Sequence, residues 1–79
     1  MTDEIDRARE LADRLRAEGH QAAATHLHHA TTGERIGHAL LEAIREACQI
    51  VLTTIEALDP KTQLMAEELR LEVDKRLRR

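Results

Sequence analysis

The chain has 79 residues, with 15 acids against 12 bases for a net charge of −3, and it contains no Phe, Tyr or Trp. That length holds one domain with a small core, and the balance of charge lacks the basic face and aromatic platforms of a nucleic-acid module. A lone cysteine rules out an internal disulfide, no run approaches the ~20 apolar residues of a membrane span, and no signal-peptide pattern opens the sequence, so the expected setting is a reducing cytoplasm.

The first predicted helix runs from Asp3 to Glu18. Asp3, Glu4 and Asp6 suit the positive end of its dipole. Ile5, Ala8, Leu11, Ala12 and Leu15 fall on one side and form a single buried stripe. Gly19 supplies a left-handed C-terminal cap. A second, shorter helix covers 21–30, with Ala23, Ala24, Leu27 and Ala30 sharing a face. The two make an αα-hairpin. The run RAEGHQAAATHLHHA, residues 16–30, resembles a tetratricopeptide-type hairpin, with Gly at the turn and small residues beyond it. It departs from that pattern in having no large aromatic and no later repeat, and no function is carried over from it.

Thr31 and Glu34 have the spacing of a capping box and predict the start of a third helix. Its apolar pattern extends to Leu58. Leu41, Ile44, Cys48, Val51, Ile55 and Leu58 recur at intervals of three and four, which is a packing seam. The polar residues from Arg45 to Glu46 on the helical wheel crowd into about 100°, leaving an apolar or small arc of roughly 220°. One neighbour cannot cover so wide an arc. Gly33 and Gly37 are expected to admit a close crossing by the second helix.

Asp59-Pro60 stops the third helix and starts a fourth, because the residue before Pro resists helical geometry, Asp caps well and Pro fits the first turn. The fourth helix runs from Pro60 to Arg78. Met65, Ala66, Leu69, Val73 and Leu77 form its main stripe, while Leu64 and Leu71 lie on the other side among charges. Glu10–Arg14, Glu72–Arg76 and Asp74–Arg78 have the spacing of ordinary surface ion pairs.

Five histidines stand out, four of them between His20 and His29. His26 and His29, three apart, are the weak candidates for a metal site, and His38 with Glu42 makes a second pair. A stable zinc site needs three or four protein ligands, so the expected metal and cofactor content is none. Charging all five histidines would carry the net charge from −3 to +2, which raises a pH response of the first hairpin as a minor possibility. No catalytic residue is assigned: the chain has no Ser, no phosphate-binding loop and no metalloprotease motif. The basic run Lys75, Arg76, Arg78 and Arg79 follows directly on the acids Glu72 and Asp74 and is explained as well by dipole compensation at a helix end.

The fold expected is an all-α bundle of four helices in one domain, 1–79, built from a short hairpin over 3–30 and a long antiparallel hairpin over 34–78. The function expected is a non-catalytic protein–protein interaction or oligomerisation module. A small His-cluster metal-binding protein and a nucleic-acid accessory protein are the alternatives. The wide arc and the two stray leucines favour a homodimer, or another protein as partner, with Leu41, Ile44, Cys48, Val51, Ile55, Leu64 and Leu71 at the interface. No membrane contact is expected, and nucleic acid is the less favoured partner.

Overall fold

Four short amphipathic helices without aromatic side chains cannot bury their stripes pairwise, and the chain closes them into a ring. The computed structural model describes residues 3–32 and 37–78. α1 spans Asp3–Ala17, α2 Gln21–Thr32, α3 Gly37–Thr54 and α4 Pro60–Leu77, and no strand occurs among the described residues. Successive helices run antiparallel. α1 packs on α2, α2 on α3 and α3 on α4, and α4 returns to α1. The bundle measures 33 × 22 × 20 Å.

Local chemistry sets the helix ends. Gly19 has φ +90°, and beside it the Gly19 N–H donates to Arg16 O at 3.1 Å and the His20 N–H to Leu15 O at 2.8 Å. This double hydrogen bond closes α1 in a Schellman motif, which needs a residue at ease with positive φ. At the other hairpin, one carboxylate oxygen of Asp59 accepts from the backbone N–H of Lys61 at 3.1 Å and of Thr62 at 3.4 Å, with Pro60 beginning α4. Both junctions follow the sequence expectation.

Three expectations need correction. α3 ends at Thr54, so Ile55 and Leu58 belong to the connection into α4. The hydroxyl of Thr53 donates to Gln49 O at 2.8 Å and that of Thr54 to Ile50 O at 2.6 Å, while the Ile55 N–H reaches Val51 O only at 3.4 Å. Threonine hydroxyls that bond back to the preceding turn compete with the main chain there, and three β-branched residues in succession weaken the turn further. Thr31 does not cap α3 either. It lies in the last turn of α2, and its hydroxyl donates to His28 O at 2.9 Å. Its capping-box partner Glu34, together with Gly33, Arg35 and Ile36, lies outside the described residues. Finally, Gly37 does not mark a close helix crossing. A Cβ placed there would meet nothing within 4 Å, and its φ of +57° is what calls for glycine at the start of α3.

The core is aliphatic throughout. Ala8, Leu11, Ala12 and Leu15 from α1 meet Ala24, Leu27 and Ala30 from α2, Ile44, Ala47, Cys48 and Val51 from α3, and Ala66, Leu69 and Val73 from α4. The wide arc of α3 lies against α2 and α4. Leu40, Leu41, Ala43, Leu52, Ile55 and Leu58 pack around its margin, half-buried.

Two polar clasps pin α4 to α1. Near one end, Arg76 Nε lies 2.7 Å from Glu4 Oε2. Near the other, Thr62 is fully buried, accepts a hydrogen bond from Arg14 Nε at 3.2 Å and donates one to Glu18 Oε2 at 2.6 Å. Arg14 also pairs with Asp59, 3.6 Å away, so the cap of α4 and the last turn of α1 share one network. A buried hydroxyl with both its donor and acceptor roles filled fixes the level of one helix against the other. Replacing Thr62 by Val keeps the shape but removes both hydrogen bonds, and should cost about 1–3 kcal/mol of unfolding free energy in urea melts. Thr62→Ser should lose much less. Equal midpoints for Thr62→Val and the parent chain would show that the hydroxyl contributes nothing.

Candidate functional site

The inward positions of α4 are Thr62, Ala66, Leu69 and Val73. Two residues further along a helix is about 200° around it, so Leu64 and Leu71 face away from the core. Leu64 is 53% exposed and Leu71 52%, and they are the two large hydrophobic side chains left exposed among the described residues. Both belong to an outer line, Lys61, Leu64, Glu68, Leu71 and Lys75, spaced three, four, three and four. Such spacing keeps one line of side chains facing a straight neighbour.

Beside this line, two shallow grooves run along the junction of α1 and α4. The first, of about 260 Å³, is lined by Arg7, Glu10, Lys61, Met65 and Glu68. The second, of about 230 Å³, is lined by Arg7, Glu68, Leu71, Glu72 and Lys75. Arg7 and Glu68 border both, so the two form one furrow. The clasps at Glu4–Arg76 and at Arg14–Thr62–Glu18 involve the same helix pair and hold its two helices at a fixed level.

The surface ion pairs differ from those expected. Arg14 turns to Glu18 at 3.9 Å and to Asp59 rather than to Glu10. Arg76 crosses to Glu4 instead of pairing with Glu72. Asp74 is held by Arg45 of α3 and Arg70 of α4, each at 3.5 Å, and not by Arg78. In each case the expected partner is replaced, by an i,i+4 neighbour on the other side in Arg14–Glu18 and Arg70–Asp74 and by a residue outside the helix in the rest. The acids so released, Glu10 and Glu72, border the furrow.

Of the seven residues expected at an interface, Ile44, Cys48 and Val51 are at most 1% exposed, filled in by the chain's own helices. Leu41 and Ile55 are half-buried at the margin of α3. Only Leu64 and Leu71 stand free on the surface. The structure does not gather the seven on one face.

His26 and His29 line a third groove, of about 280 Å³ between α2 and α3, with Ala30, Ala43 and Glu46. The His28 and His29 rings lie 6.5 Å apart, tilted by 52°. No group of three or more His, Cys, Asp or Glu residues is placed to hold a metal ion among the described residues. His38 Nε2 lies 3.4 Å from Glu42 Oε1, the i,i+4 pair expected on α3. Within the basic run at the C-terminus, Arg76 is engaged by Glu4, and Arg79 lies outside the described residues. Among the described residues, no helix is long and apolar enough to cross a membrane.

With that geometry established, comparison with protein-family models, curated proteins and solved structures finds no match to the chain.

Cys48 is a core residue. Burial pushes its thiol pKa up to about 12 from an ordinary 9.0, against a smaller opposing pull from the Arg70 charge. The thiolate is the reactive form, so the folded chain protects this sulfur from thiol reagents. Between pH 9 and 12 the folded chain keeps a proton that the unfolded chain releases. Stability therefore falls as pH rises across that window, by about 1.4 kcal/mol per unit from this group. Urea melts between pH 9 and 11 should show that slope in the parent chain, and it should be reduced in Cys48→Ala. Equal slopes would contradict the assignment.

Proposed function

We propose that this protein works through its surface, as a helical interaction or oligomerisation module, and not through chemistry of its own. The observation that carries the reading is the pair of half-exposed leucines, Leu64 and Leu71, two turns apart on the outer line of α4. Two large apolar side chains on one stripe, rimmed by charge, have the anatomy of an interface with a small apolar centre. The furrow beside them gives a partner helix a track to follow.

The same observation moves the expected interface. A partner that docked on the third-helix seam would have to displace α2 or α4 from Ile44, Cys48 and Val51, which the closed ring buries. The outer α1–α4 face asks for no such opening. The proposed module is therefore a finished bundle that presents one helix face.

Leu64→Asp combined with Leu71→Asp should leave the circular-dichroism spectrum and melting temperature close to those of the parent, since both positions are exposed. The double variant should lose self-association, measured by sedimentation velocity, and any capture of another protein. An unchanged oligomer and an unchanged partner profile would overturn the reading.

A further inference from the structure

We draw no further inference here: the strongest candidate, the outer α1–α4 face with its furrow and the exposed Leu64 and Leu71, is the surface on which the proposed function already rests, and nothing in the structure shows what covers it.

Discussion

The absence of every aromatic side chain is the constraint from which the rest of this structure follows. Leu, Ile, Val and Ala make most core contacts, with Cys48, the fully buried Thr62 and the half-buried Met65 beside them. Each such side chain removes little area from water, so a helix in a 79-residue chain gains enough burial only by touching two neighbours. The ring of four helices provides this. Alanines at 8, 12, 24, 30, 47 and 66 let the helices come close, and the larger Leu, Ile and Val residues fill the space between them. A core of this kind has little volume to spare for an enclosed site, which is in keeping with the proposal of a function carried by the surface.

Polar contacts then fix what apolar packing leaves open. Alanine-rich faces can slide past one another, since neighbouring registers bury similar area. The buried Thr62 hydroxyl, bonded to Arg14 and Glu18, and the Glu4–Arg76 pair select one level for α4 against α1. Arg45 and Arg70, converging on Asp74, do the same between α3 and α4. The price is that Glu10 and Glu72 lose the local partners their spacing offers and stand at the furrow instead. The outer α1–α4 face thus carries two acids whose expected partners are used in locking the helices.

Local features were readable along the chain because local geometry decides them. Gly19 ends α1 and Asp59-Pro60 starts α4 through backbone conformations that those residue types favour by themselves. The stripes of α1, α2 and α4, and the outward position of Leu64 and Leu71, follow from helical periodicity in the same way. What periodicity cannot show is which molecule fills a seam. The spacing from Leu41 to Leu58 suited a partner chain as well as it suited the chain's own helices, and the ring fills it from within. It also could not register that Thr53 and Thr54 would bond back and end α3 before Ile55, or that Gly37 serves a positive φ rather than a crossing. Thr62 escaped notice because a lone threonine in the first turn of a helix carries no signal until its neighbours from α1 are in place.

The most direct test is to follow backbone amide resonances of the isotopically labelled chain through about a hundredfold dilution, two decades of concentration over which a Kd inside the range shifts the balance of free and bound chain. The account predicts shifts that cluster at Arg7, Glu10, Leu64, Glu68, Leu71 and Glu72, with Ile44, Cys48 and Val51 unmoved. Shifts centred on those three α3 residues would contradict it, because they would mean that the ring opens and the seam, not the outer face, meets the partner.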